Sequence, residues 1–589
     1  MAGHVPTLGD ILRKSKVRRY SGVLFALLES VSRARQTGAA CQRLFLLRKF
    51  DFLSRLYWPL LLILCVSFAW RPLGGGYDFF AHAAVGRWIW NHGQVPTHGL
   101  FLWSAPGFPW VAHSWLCQLF FYGLIQLGGA YAVIVFTVAC VCLAWFLIWR
   151  MWAQRGDVTF VTPLIFGLAI WCSAPRFVPR QELLTALLLI CVLAYLLAWN
   201  DARIGSETES WRSPPVLESS SFGIVAIFAL WVNLHALVLL GLIFLVATAV
   251  CDAIQDRFDR RSRLLLVIAF LCVMATLLNP FGIGYWKAAD VLKSGSQASF
   301  VDEWKPFWVE PRMHWKFAVG ELVLALGGLF AWLRNPNRRW SQLLWLLLMS
   351  AAFVKSRRFL WLSAITFVIV MAANARSFDS LDWWTRWRNL TRQPQLLGIP
   401  RPIRFVAHAG AIGILVLLIA RTLSTEARGG QALWPPRAIS RHAPVRVAQI
   451  IKERRLPGRI FNDYENSSYL QWSLNGADAK GRVPARGLHP LYIDLLNAYP
   501  DAVMKSEKLP DYFDVLDANA QGIAMIEAKK INTIHLGEDH AHDHGVRNAK
   551  GKWSRPKNGL VDYLNRNRAW KKLLDNDEGI LWTRRKPLK

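Results

Sequence analysis

From Leu56 to about Leu423 the chain alternates between long apolar runs and short polar breaks. The runs fall at 56–72, 129–149, 158–174, 181–199, 221–234, 236–254, 264–279, 316–333, 340–354, 358–374 and 402–421. Each is near the ~18 to 20 residues that a helix needs to cross a hydrocarbon core. The pattern predicts an α-helical polytopic membrane body of about eleven transmembrane helices. One apolar stretch, 114–128, is left over. Counting it as a span would move the basic break RMWAQRGD to the other side of the membrane from the remaining basic breaks, so it is expected to be re-entrant or interfacial. Within the large loop 73–128, residues 79–92 repeat aromatic and small side chains at helical spacing, which predicts a helix lying in the interface plane. The following VPTHGLFLWSAPGFPW is rich in turn formers and reads as an ordered loop.

Beyond residue 424 the spanning runs stop and the period becomes mixed. RIFND, INTIHL and GILWTRR read as strands, and SSYLQWSL, PDYFDVLDAN and GLVDYLNRN as helices. A soluble C-terminal domain of α/β or α+β type is expected. The chain thus divides into a basic segment 1–54, a membrane domain 55–424 and a C-terminal domain 425–589.

Charge then orients this body. The first 50 residues carry many Arg and Lys against Asp10 and Glu29, with no short apolar core and cleavage site of a signal peptide. The positive-inside rule places them in the cytoplasm, with 21–32 along the inner leaflet. DRFDRRSR, RNPNRRW and RSFDSLDWWTRWRNLTRQPQ then fall on the cytoplasmic side, and the C-terminal domain falls outside a plasma (inner) membrane. The net charge of +30 is spread over loops rather than gathered on one face, which points to anionic lipid as partner and away from nucleic acid. The nine cysteines all lie between Cys41 and Cys272 without CxxC or Cys/His ligand spacing, and read as membrane packing residues.

Two cationic clusters break the charge rule: Arg176 and Arg180, and Lys355, Arg357 and Arg358, all at outer ends of spans. They either snorkel to headgroups or converge on a phosphate at the outer leaflet. Other polar residues collect at the same face: Asp78, His82, Arg87, His113, Trp115, Asn233, His235, Asn279, Asp302 and Glu303. Ionisable groups at membrane depth are costly, which marks such a gathering as a functional pocket. Asp78 is placed to act as a general base for an acceptor hydroxyl, to cap the following helix, or both. Asn233 and His235, where one span breaks into the next, also suit freed backbone groups. His82, His113 and His235 have no recognisable metal-ligand spacing, so no metal cofactor is assigned; hydrogen bonding that orients neighbouring groups is the commoner use of such histidines. HLGEDHAHDHG, residues 535–545, reads as a solvated polar loop.

The order Asp78, His82, GRWIWNHGQVP, APGFPWVAHSWL, WVNLH, LLNPFG, DEW and SRRF resembles a group of bacterial integral membrane proteins related to the GT-C glycosyltransferases. The resemblance covers about 55–375 and extends through GRIFNDYENSSYLQWSL and GILWTRRK. It implies a sugar transfer from a polyprenyl-phosphate donor to an envelope acceptor, with Asp78 as the first-loop catalytic carboxylate. His82 and Glu303 would be its catalytic companions, with Asp302 beside them. Arg176, Arg180, Arg357 and Arg358 would be the donor-phosphate clamp. Where the related proteins commonly carry an acid after VPT and beside His113, this chain has Gly99 and Ser114. Those two positions favour the alternative, a catalytically silent membrane scaffold or polysaccharide-export component that binds envelope glycans.

Overall fold

The computed structural model describes residues 52–74, 78–104, 107, 109–156, 158–204, 216–286, 306–307, 311–375, 401–428, 438–457, 459–464, 466–476, 491–492, 512–541, 546–547, 553–554 and 559–588. A helix occupies each of the eleven apolar segments: α1 (Tyr57–Ala69), the second limb of α3 (Trp115–Arg155), α4 (Val161–Ser173), α5 (Glu182–Ile204), α6 (Val216–Leu234), α7 (Val238–Gln255), α8 (Arg260–Ala275), α9 (Pro311–Arg334), α10 (Trp340–Lys355), α11 (Leu360–Ala373) and α12 (Arg401–Arg428). Stretches of α3, α5, α7, α9 and α12 are long and apolar enough to cross a membrane. α11 is buried on all sides from Leu360 to Ala372, as expected of a helix without a polar face at the centre of a bundle. Trp145, Trp152, Trp231 and Trp345 fill the core around it, together with its own Trp361.

α3 breaks at Gly128 and Gly129, whose dihedrals are not helical; Gly129 has φ 62°, a conformation that favours glycine. The limb before the break is thirteen residues, Trp115–Leu127, about 20 Å at 1.5 Å per residue, short of the ~30 Å core. The limb after the break ends at Arg155, which pairs with Asp201 at 2.7 Å. At that same end Arg339 binds Asp256 at 3.0 and 2.5 Å, and Asn335 binds Asn374 at 2.6 Å. The described basic breaks therefore gather at one end of the bundle, opposite the site described below, while 376–395 lies outside the described residues.

Loop 73–114 carries α2 (Asp78–His92). Its residues from Phe79 to Gly86 are all buried, so this part of α2 faces protein rather than lipid headgroups. Its apolar face, which lipid headgroups would otherwise solvate, is covered by the first limb of α3 on one flank and by the C-terminal domain on another. At Gly86 an added Cβ would lie 2.0 Å from the Gln118 carbonyl oxygen, so a glycine is what allows α2 to rest on α3.

The C-terminal domain contains a sheet of order β1-β2-β6-β5, formed by β1 (Arg459–Asn462), β2 (Ile531–Leu536), β5 (Trp570–Asn576) and β6 (Gly579–Arg584). β1 and β2 are parallel, with Ile460 opposite Thr533, and the other pairings are antiparallel. β2 and β6 are buried throughout, as inner strands should be. Helices α15 (Tyr512–Leu516), α16 (Ala520–Ala528) and α18 (Gly559–Arg566) share one core with the sheet. α13 (Val445–Glu453) and α14 (Ser467–Leu474) share the other with α2 and α3. Short elements α17 (Glu538–Ala541), β3 (Val546–Arg547) and β4 (Trp553–Ser554) complete the domain. Backbone bonds stitch it to loop 73–114, from Ser440 N to Leu73 O at 2.9 Å and from Leu491 N to Phe101 O at 2.8 Å.

Candidate active site at one end of the bundle

Three consecutive residues, Arg180, Gln181 and Glu182, form the hub of the site, at the start of α5. Each hands its side chain to a different element. Arg180 Nε lies 3.5 Å from Asp78 Oδ2 at the start of α2. The Gln181 amide donates to His82 Nδ1 at 3.1 Å and accepts from Ser114 Oγ at 3.0 Å, and Gln118 donates to the same ring nitrogen at 3.2 Å. Glu182 accepts from Arg176 Nε at 3.1 Å and Nη2 at 2.5 Å through Oε2, and from Arg358 Nε at 3.0 Å through Oε1. A turn of 3₁₀ helix at 357–359 delivers the last of these.

The network extends through Arg358 to His235 Nε2 at 3.4 Å, and Thr185 lies 2.8 Å from His235 Nδ1. Trp231 Nε1 donates to the Thr185 hydroxyl at 3.1 Å. Trp115 Nε1 donates to Asn233 Oδ1 at 2.7 Å, and Asn233 donates to the Ala229 and Leu278 carbonyls at 2.9 Å. The helix break between α6 and α7 is bridged by backbone bonds, His235 N to Trp231 O at 3.0 Å and Val238 N to His235 O at 3.2 Å, while Asn233 satisfies the Leu278 carbonyl beyond α8.

Asp78, His82, His113, Trp115, Arg176, Arg180, Asn233, His235 and Arg358 therefore share one end of the bundle. Arg357 lies buried in the same 357–359 turn. Exposure separates the arginines: Arg358 keeps 27% of its side chain exposed and Arg180 18%, against 6% for Arg176. Asp78 keeps 28%, so its carboxylate and two guanidiniums are the groups within reach of a ligand.

His82 is pushed down to about 3, first by burial and then by the charges of His113 and Arg180. His113 is pushed down to about 4, again chiefly by burial, with Arg358 acting in the same direction. Both imidazoles are neutral at neutral pH, so His82 takes the amide hydrogen bonds as an acceptor, at an unprotonated ring nitrogen.

Other expected site residues lie elsewhere. Arg87 is nine residues beyond Asp78 on α2, about 13 Å along the axis. It donates to the Trp472 and Asn475 carbonyls at 2.6 and 3.0 Å and lies 4.1 Å over the Trp472 ring, so it docks the C-terminal domain. Asn279 closes its own turn, donating to Thr276 O at 2.8 Å and accepting from Phe281 N at 2.8 Å. Lys355 is exposed. Asp302 and Glu303 lie outside the described residues. His535 is not on a solvated loop: it is buried in β2, its Nε2 donating to Glu578 O at 3.1 Å. Among the described residues no three His, Cys, Asp or Glu side chains converge as a metal site would need.

Sequence reasoning passed over Gln118, Gln181, Glu182 and Thr185. An acid directly before an apolar run reads as complementing a helix N-terminus. The available signal was Glu182 lying within six residues of two arginines in SAPRFVPRQEL.

No protein-family model and no curated protein matches the sequence. Solved structures do match by fold. The oligosaccharyltransferase AglB from Archaeoglobus fulgidus, in complex with an inhibitory peptide and a dolichol-phosphate, is 11% identical, covers 82% of this chain and 70% of its own, and has a TM-score of 0.55. The apo form of the Archaeoglobus fulgidus oligosaccharyltransferase is 12% identical over 81% of this chain and 69% of its own, with a TM-score of 0.51. With its helical membrane body, large first loop against a C-terminal domain, and these likenesses, the chain is a polytopic membrane protein with the GT-C-like fold of these structures.

Proposed function

We propose that the protein is a GT-C-type glycosyltransferase that takes a sugar from a polyprenyl-phosphate carrier and passes it to an envelope acceptor at the outer face of the membrane. The observation that carries this reading is Asp78 at 3.5 Å from Arg180, at the end of the bundle where Arg358 and Arg176 share Glu182. Arg180 and Arg358 hold the donor phosphate, because their guanidiniums are charged at any working pH and suit phosphate oxygens. Arg176 and Arg357, more deeply buried, add to the positive field behind them. In the reaction the bond between the anomeric carbon and the phosphate oxygen breaks, leaving its electron pair on the phosphate. The acceptor hydroxyl oxygen bonds the anomeric carbon, and its proton passes to Asp78. Neutral His82 and the two glutamines keep α2 and α5 in register beneath that carboxylate. Glu303 and Asp302, outside the described residues, remain candidates for a second acid.

The outer-face placement rests on charge: the described basic breaks lie at the opposite end from Asp78, and basic loops stay cytoplasmic. The test is transfer by the purified protein from polyprenyl-phosphate sugars. Asp78→Asn is expected to lower kcat by about 10²- to 10⁴-fold, and full transfer by that variant overturns the role. The scaffold reading draws on Ser114, a buried hydroxyl bonded to Gln181 where relatives commonly carry an acid. Donor binding without transfer by the wild-type protein would select it.

A further inference from the structure

α2, which carries Asp78, is gripped along its length by α14 of the C-terminal domain. In its first turn the Ala81 N–H donates to Ser468 Oγ at 2.9 Å, a buried bond between residues 387 positions apart. Beside it the rings of Phe80 and Tyr469 meet edge to face at 5.0 Å. Two turns further on, Arg87 binds the carbonyls at the end of α14. On the other flank, Gly86 rests against the Gln118 backbone.

These contacts differ in what they fix. The aromatic pair and the Gly86 contact set how closely α2 approaches its neighbours, but apolar surfaces slide at small cost. A hydrogen bond to a first-turn N–H is directional and holds only over a few tenths of an ångström. It therefore fixes the height of α2 along its own axis, and with it the separation of Asp78 from Arg180.

We propose that Ser468 is a positioning residue for the catalytic carboxylate: its hydroxyl, from the C-terminal domain, holds the first turn of α2 at the height that sets Asp78 against Arg180. The C-terminal domain then contributes to the reaction by placing Asp78, whatever glycans it also binds. This rests on the glycosyltransferase reading for its catalytic consequence, since a displacement of about 1 Å at a reacting group can cost on the order of 10²-fold in rate. The structural part stands by itself.

The test compares Ser468→Ala, Ser468→Thr, which keeps the acceptor, and Ser467→Ala in the full-length protein. Ser467 is the control because its hydroxyl is equally buried in α14 yet donates within its own domain, to Tyr464 O at 2.7 Å. Hydrogen exchange of the peptide covering 78–92 is expected to accelerate about 10-fold or more in Ser468→Ala and to stay at the wild-type rate in Ser467→Ala. In the transfer assay Ser468→Ala is expected to lose about 10- to 100-fold in kcat with the donor KM within about 2-fold, and Ser468→Thr to recover most of it. Wild-type exchange of α2 in Ser468→Ala, or equal acceleration in Ser467→Ala, overturns the proposal whatever the activity. A wild-type protein that transfers no sugar overturns the functional reading instead, while the exchange comparison still decides the role of Ser468.

Discussion

Glu182 occupies the place of an anion between two arginines that a phosphate would also engage. Its carboxylate is almost fully buried, with Arg176 on one oxygen and Arg358 on the other, so removing its charge takes one ion-pair partner from both guanidiniums. Breaking one partner of a buried pair costs about 3–5 kcal/mol. Glu182→Gln is accordingly expected to lower the midpoint of thermal unfolding in detergent, with pyrophosphate or a polyprenyl phosphate restoring the variant more than it raises the wild type. Equal stabilisation of the two would show that the lipid phosphate does not meet these arginines. The histidines give a second expectation at this scale. His82 and His113, held down to about 3 and about 4, titrate near 6.5 in an unfolded chain. Below that value the unfolded state binds the extra protons, so their contribution is complete above pH 6.5 and is lost as pH falls toward 4 and then 3. The melting temperature should decline across this window, and His82→Gln should flatten the decline.

Among the elements, α2 shows most clearly what pattern carries and what it leaves out. Its span was legible because Phe79, Ala83, Arg87 and Trp90 recur at helical spacing. Its burial was not, because the covering surface is α14, almost four hundred residues away in the chain. The eleven apolar segments were legible for the same reason of length and period. β5 escaped notice: WKKLLDN is an edge strand with one buried residue, Trp570, and no alternation of exposure, too polar to announce itself without its partner β6. The site followed the same division. Arginines, histidines and an aspartate beside apolar runs stand out by cost, whereas Gln118, Gln181 and Thr185 are neutral residues whose role appears only when two helices face each other. Gly86 belongs with these. Gly86→Ala drives a methyl into the Gln118 carbonyl, and such overpacking costs about 1–3 kcal/mol. The variant should unfold at lower temperature and expose α2 to hydrogen exchange, while an unchanged melting point would mean that α2 does not rest on α3 as described.

At the scale of the whole molecule, the candidate site and the described basic breaks lie at opposite ends. Arg155 with Asp201 and Arg339 with Asp256 mark one end; Asp78, Arg180, Glu182 and Arg358 mark the other. The C-terminal domain belongs to the second end, because Ser468 and Arg87 tie it to the helix that begins at Asp78. Sidedness is therefore one question rather than several: wherever the C-terminal domain lies, the site lies too. Single cysteines placed at the exposed positions Lys571, on β5, and Asn337, in the basic break before α10, answer it in a protein cleared of its native cysteines. A membrane-impermeant maleimide applied to intact cells should label Lys571→Cys directly and Asn337→Cys only after permeabilisation. The reverse pattern would move the site to the cytoplasmic face and with it exclude an envelope acceptor. Labelling of both from outside would contradict the two-ended arrangement itself, since a bundle with α3, α5, α7, α9 and α12 long enough to cross cannot present both ends to one compartment.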